Sequence, residues 1–168
     1  MTRRLLLIAF LITLPVVSAF AQQKPDFSGT WKMNVAKSDF GALPALSGRT
    51  DVITHKEPSL TDDVTVESEQ GKQQYTAKYT TDGKEVTNQI GEREVKATMK
   101  WDGNVLVISS HFDYSGAQVS AQGTWALSAD GKTLNVNLHY TSPMGETEQK
   151  LVYEKQETAP AATPAKTP

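Results

Sequence analysis

The tightest constraint on this chain is a pattern of reversals. Between Glu94 and Tyr140, runs of alternating polar and apolar residues are broken at Asp102-Gly103, Ser115-Gly116 and Asp130-Gly131. Glycine after Asp or Ser between such runs marks a hairpin, because the left-handed torsions of a tight turn cost glycine little. Read as two-residue turns, these reversals set Met99 against Leu106 and Ala97 against Ile108. They also set Phe112 against Val119, Leu106 against Trp125, Leu127 against Leu134 and Trp125 against Val136. The apolar residues fall on one face throughout. A slip of one residue would turn every side chain over, so the agreement between neighbouring hairpins is a genuine check.

Four more reversals, at Gln70-Gly71, Asp82-Gly83, Gly91-Glu92 and Met144-Gly145, return the same face inward, setting Val64 against Ala77, Tyr79 against Val86, Tyr75 against Ile90, Val86 against Ala97 and Leu138 against Leu151. They predict strands near 61–69, 72–81, 84–91, 93–101, 104–114, 117–128, 132–141 and 146–155 in one continuous meander. Two strands precede them, one opened by Gly29-Thr30-Trp31 and a second over Thr50 to Glu57 whose register is loose. No stretch shows helical periodicity. A broad sheet with one apolar face and no helices must curl closed or fold into two layers. Short consecutive turns favour closure over a sandwich, which needs crossing strands. The expected fold is therefore all-β, an antiparallel up-and-down barrel of 8–10 strands. The longest connection, Lys37 to Arg49, carries Phe40, Leu43 and Leu46, and is read as a loop packed on the body or a flap over an opening.

The ends read differently. Arg3-Arg4, the apolar run Leu5 to Val17 and Ala19-Phe20-Ala21 form a secretory signal pattern over 1–21. The expected barrel domain is 22–156, led by a polar segment, with a disordered Pro-, Ala- and Thr-rich tail over 157–168. Export to the periplasm or the medium follows, as a monomer with no membrane attachment once the signal is cleaved. The chain has no cysteine, which excludes disulfides and thiolate chemistry. Without Arg3 and Arg4, 15 basic residues stand against 19 acidic ones, a net charge of −4, and they form no basic stripe. Nucleic acid is not an expected partner.

The inner face decides what such a barrel does. It carries Trp31, Met33, Val64, Val66, Ala97, Met99, Leu106, Ile108, Trp125, Leu138 and Leu151, which read as core. It also carries Tyr75, Tyr79, Asn88, Ser110, Tyr140, Gln149 and Tyr153. Burying such groups dry and unpaired costs about 1–3 kcal/mol each. They imply interior water, mutual hydrogen bonds or a ligand, and apolar walls with a few polar fixtures describe a small-molecule pocket. Arg93 has inward parity beside the Gly91-Glu92 turn, placing it at a rim. There it is solvated, paired with an acid such as Glu92, or an anchor for an acidic ligand. The candidate ligand-binding residues are Tyr75, Tyr79, Arg93, Phe112, Trp125, Tyr140 and Tyr153.

No catalytic, metal-binding or cofactor role is expected. Ser110 points in and His111 out, so they cannot form a relay, and the hydrolase and zinc-protease motifs are missing. His111 and His139 point outward, and His55 reads as structural.

Gly29-Thr30-Trp31 resembles the Gly-x-Trp that opens lipocalins and fatty-acid-binding proteins, the calycin group. Leu151-Val152-Tyr153-Glu154-Lys155 resembles the closing strand of the fatty-acid-binding proteins, and the hairpin order between them is similar. The resemblance covers about residues 27–156 and extends to exported bacterial proteins described as lipocalin-like. It implies a barrel that binds a small hydrophobic molecule inside. Two departures stand out. The 37–49 connection is too short for the family's helical pair, and Leu151 stands where the family places a carboxylate-binding Arg before the closing Tyr. The expected function is an exported lipocalin-like binder or carrier of a small hydrophobic or amphipathic molecule. The alternative is a structural or protein-interaction β-module with a filled interior. An interior cavity of roughly 300 Å³ or more around the tyrosines favours the first.

Overall fold

The computed structural model describes residues 24–157. The expected signal segment lies outside them, as does the expected tail beyond residue 157. Ten strands run in chain order: β1 Gly29–Met33, β2 Gly48–Lys56, β3 Ser59–Ser68, β4 Gly71–Thr80, β5 Val86–Ile90, β6 Arg93–Asp102, β7 Val105–Tyr114, β8 Ala117–Leu127, β9 Thr133–Ser142 and β10 Gly145–Lys155. They form one antiparallel sheet in the order β4-β3-β2-β1-β10-β9-β8-β7-β6-β5. Every pair of chain neighbours except β4 and β5 is hydrogen-bonded, and β1 pairs with β10, so the ribbon rolls into a nearly closed up-and-down barrel.

The seam lies between β4 and β5, which share no backbone ladder. This corrects the expected Tyr79–Val86 and Tyr75–Ile90 pairs. The five residues Thr81 to Glu85 make this connection too long for a tight hairpin, and Thr81 donates its amide to Pro58 O instead. Asn88 bridges the seam from its side chain. Its Oδ1 accepts from Lys78 N at 2.7 Å and its Nδ2 donates to Lys78 O at 2.9 Å.

Three of the seven expected registers stand as read, giving Val86–Ala97, Leu106–Trp125 with Phe112–Val119, and Trp125–Val136. Three hairpins are shifted by two residues. Met99 faces Ile108 rather than Leu106, Val64 faces Tyr75 rather than Ala77, and Leu138 faces Gln149 rather than Leu151. At two of them serine explains the shift. Ser68 Oγ accepts from Gln70 N and Ser142 Oγ from Met144 N, each at 3.2 Å. Serine thus opens the turn, and the glycine falls at its far end, at φ 108° for Gly71 and 126° for Gly145. A shift of two leaves the inner face unchanged, because side chains alternate with period two.

One end of the barrel is sealed by aromatic packing. The lead-in was expected to be polar, yet Phe27 is fully buried, with its ring 5.9 Å from Trp101 and 6.4 Å from Trp125. Its carbonyl accepts from Trp31 Nε1 at 2.8 Å. Burying a ring of this size stabilises the fold by roughly 2–3 kcal/mol. His55 packs beside it, with its Nε2 3.0 Å from Glu57, in the structural role expected.

The connection from β1 to β2 begins with a single 3₁₀ turn, Val35–Lys37, and is packed on the body. Asp39 bridges to Lys150, and Phe40 joins the core. Gly41 lies against the backbone of Glu148 so closely that a Cβ there would collide with it.

Candidate functional site

The barrel interior keeps a cavity of about 190 Å³. All seven candidate residues line it: Tyr75, Tyr79, Arg93, Phe112, Trp125, Tyr140 and Tyr153. The alternation of β4, β6, β7, β8, β9 and β10 delivers them, since each sits at the inward parity of its strand. Leu134, Val136, Leu138, Leu151 and Ile108 supply an apolar wall. Tyr79 meets Trp125 edge to face with centroids 6.1 Å apart.

Tyr153 is fully buried, and Tyr75, Tyr79 and Tyr140 are half-buried along the cavity. That burial pushes each phenol above its ordinary range, so all remain neutral hydroxyls. None of these hydroxyls pairs with another protein group among the described residues, so their hydrogen-bonding capacity faces the cavity.

The cavity opens at the end carrying the β5–β6 and β7–β8 turns. There it meets a wider vestibule of about 730 Å³ bordered by Gln73, Gln74, Glu92, Asp113 and Tyr114, and the two spaces share Tyr75, Ile90 and Arg93. Arg93 is exposed at this mouth, with its guanidinium 5.6 Å from the Phe112 ring and 5.5 Å from the Tyr114 ring. No acid lies within ion-pair distance of it among the described residues. Of the readings given for Arg93, pairing with Glu92 is not seen, and its guanidinium lies against two aromatic rings at the mouth.

The sequence reading missed a charged cluster in the same interior. Arg49 lies within β2 rather than ending a loop, and it lines the cavity together with Asp51. Arg49 Nε donates to Asp51 Oδ1 at 2.8 Å, and its Nη2 lies 3.9 Å from Asp62 Oδ2. Its guanidinium also sits 5.9 Å from the Tyr153 ring centroid. Burial disfavours its charge, but Tyr153 and Asp51 overcome this and hold it protonated. Asp51 and Asp62 are almost fully buried, and Asp62 Oδ1 has no hydrogen-bond partner among the described residues. Burial, and then the neighbouring Asp51, push the Asp62 carboxyl up to about 8, against the pull of Arg49.

One signal could have found this cluster. Val64 and Val66 were placed inward, and parity then puts Asp62 inward and Asp63 outward. Asp51 could not be placed in the same way, because the register of β2 was open.

Arg49 also bears on the missing family anchor. The cavity does hold an arginine against the closing-strand Tyr153, but it arrives from β2 and its Nε is already bound to Asp51. Its charge is already shared by the Asp51 and Asp62 carboxyl groups.

No family model matches this chain, and no curated protein matches it by sequence. Solved structures do match it in fold. Secretory abundant heat soluble protein 4 from Ramazzottius varieornatus aligns with a TM-score of 0.55 at 14% identity, covering 82% of this chain and 100% of that one. The zebrafish ileal bile acid-binding protein, complexed with cholic acid, aligns at 0.54 and 14% identity, covering 77% and 98%. The fluorescent protein UnaG aligns at 0.53 and 17% identity, covering 77% and 97%. The chain therefore has the fold of the calycin and fatty-acid-binding-protein barrels: ten antiparallel strands, up and down, nearly closed. At these identities the likeness is one of fold.

Proposed function

We propose that this protein is an exported, monomeric, non-enzymatic carrier that holds a small hydrophobic or amphipathic molecule inside the barrel. One observation carries the reading: an interior cavity with apolar walls, lined by four tyrosines whose hydroxyls have no protein partner among the described residues. An apolar body would be held by Trp125, Phe112 and the aliphatic wall. The hydroxyls of Tyr75, Tyr79, Tyr140 and Tyr153 would fix a polar group, and Arg93 would border the outer end. The bile-acid-binding neighbour supports this reading at the level of the fold.

The cavity's size limits the ligand. At about 190 Å³ it lies below the roughly 300 Å³ of common small-molecule pockets. A ligand would be compact, or would extend past Arg93 into the vestibule. The same number is what favours the alternative, a filled module without a small-molecule ligand.

Titration of the mature protein with hydrophobic fluorophores, followed by Trp emission, separates the two. Saturable binding that is lost when Ala121, a wall residue opposite Tyr140, becomes Phe supports the carrier. No saturable response from any fluorophore supports the filled module.

A further inference from the structure

The buried charges of this barrel do not balance. Two carboxyl groups, Asp51 and Asp62, share one guanidinium, Arg49, inside a wall otherwise made of aromatic and aliphatic side chains. Every element packed against the pair supplies neutral groups: Tyr75 and Tyr79 from β4, and Tyr153 from β10. Asp63 is the nearest further acid and lies on the outer face of β3. One positive charge is missing. In the empty barrel a proton on Asp62 supplies it, consistent with a carboxyl that titrates near 8. Even so, Asp62 Oδ1 stays buried and without a hydrogen-bond partner among the described residues. An acid cluster that leaves such an atom unsatisfied has room in its chemistry for one more donor.

We infer that the interior site is selective for a compact amphipathic monocation, a primary amine on a short apolar body, whose ammonium group completes the Arg49–Asp51–Asp62 cluster. The inference rests on the carrier reading and sharpens it.

Asp51 lines the cavity and commits its Oδ1 to Arg49, so its carboxylate is the first contact for an incoming ammonium. Asp62 stands behind it, close enough to Arg49 to sense the new charge. As the cation enters, Asp62 gives its proton to solvent, and the cluster becomes two carboxylates with two cations. Tyr75, Tyr79 and Tyr153 offer ring faces and hydroxyl oxygens to the same group. Arg93 at the mouth does not repel the ligand alone, because Glu92 and Asp113 border the vestibule with it. A carboxylate ligand would meet the Asp51 carboxylate, and the charge of Arg49 is already shared by two acids.

Octylamine, octanol and octanoate share one apolar body and differ in head group. Calorimetric titration of the full mature protein at pH 7 should give octylamine an affinity roughly tenfold or more above octanol, the value of one charge-assisted hydrogen bond. Octanoate should be the weakest. Repeating the octylamine titration in buffers of different ionisation enthalpy should show release of about one proton per ligand. The Asp62→Asn and Asp51→Asn variants should each bring the amine-to-alcohol ratio towards one. Two carboxamide variants guard against one failing to fold. Equal binding of all three compounds would overturn the amine preference and leave the carrier reading standing. Strongest binding by octanoate, lost in Arg93→Gln, would overturn it in favour of an anionic ligand held at the mouth. Binding by none of the three would overturn both.

Discussion

Asn88 and Lys78 hold the barrel's seam: the carboxamide of one occupies both the amide and the carbonyl of the other, at 2.7 and 2.9 Å. A single side chain thus takes the place of a missing rung between β4 and β5. Asn88→Leu keeps the volume but strands two polar groups of the Lys78 backbone. Chemical denaturation should show a loss of about 1–3 kcal/mol. Amide exchange should quicken at Lys78 while β7 and β8, which lie far from the seam, keep their protection.

The Asp62 carboxyl titrates near 8 in the folded protein and near 4 in the unfolded chain. Between those values the folded state binds more protons than the unfolded one, so stability falls as pH rises. The protein should be most stable, in this respect, at or below pH 4 and should lose that contribution progressively up to about pH 8. Asp62→Asn should flatten the slope and gain about 2 kcal/mol at pH 8.5. Urea midpoints collected across this range measure both effects.

Arg49 is the counter-charge to two acids, so its removal should cost far more than the loss of a surface charge. Arg49→Met leaves Asp51 and Asp62 together without compensation and should destabilise by about 3–5 kcal/mol near neutral pH. Adding Asp51→Asn to it should recover part of that loss. A double-mutant cycle with these two substitutions measures the coupling between the pair.

How much of this was legible beforehand depended on what each feature left in the sequence. The face of every strand from β3 onward was readable, because Val64, Met99, Leu106, Trp125 and Val136 repeat with period two. The position of the turns was less readable. The Gly in Gln70-Gly71 and Met144-Gly145 marks the reversal, but Ser68 and Ser142 decide on which side of it the glycine falls. The seam was hidden because Asn88 reads as any polar inward residue until its partner is known. The charged cluster was hidden because Arg49, Asp51 and Asp62 break the rule that the inner face is apolar. Phe27 was missed because a lone aromatic in a polar lead-in has no periodicity to place it.

Gly123 is small for a reason found in the neighbouring strand. Its Cα lies against Asn137 O and the Leu138 side chain, and a Cβ would collide with that backbone. Gly131 has nothing near the corresponding position, only a left-handed φ of 67°. Gly131→Ala should therefore cost about 1–2 kcal/mol from backbone strain alone. Gly123→Ala should cost more, about 2–3 kcal/mol, since β8 and β9 must separate. Thermal melts of the two variants side by side test the order.

The central claim is that the space among Tyr75, Trp125, Tyr140 and Tyr153 receives a molecule. Intermolecular nuclear Overhauser contacts between a bound octyl chain and assigned protein side chains test it most directly. The account predicts contacts to Trp125, Ala121, Val136 and Leu151, all lining the interior. Contacts confined to exposed residues such as Tyr114 and Met144 would contradict it.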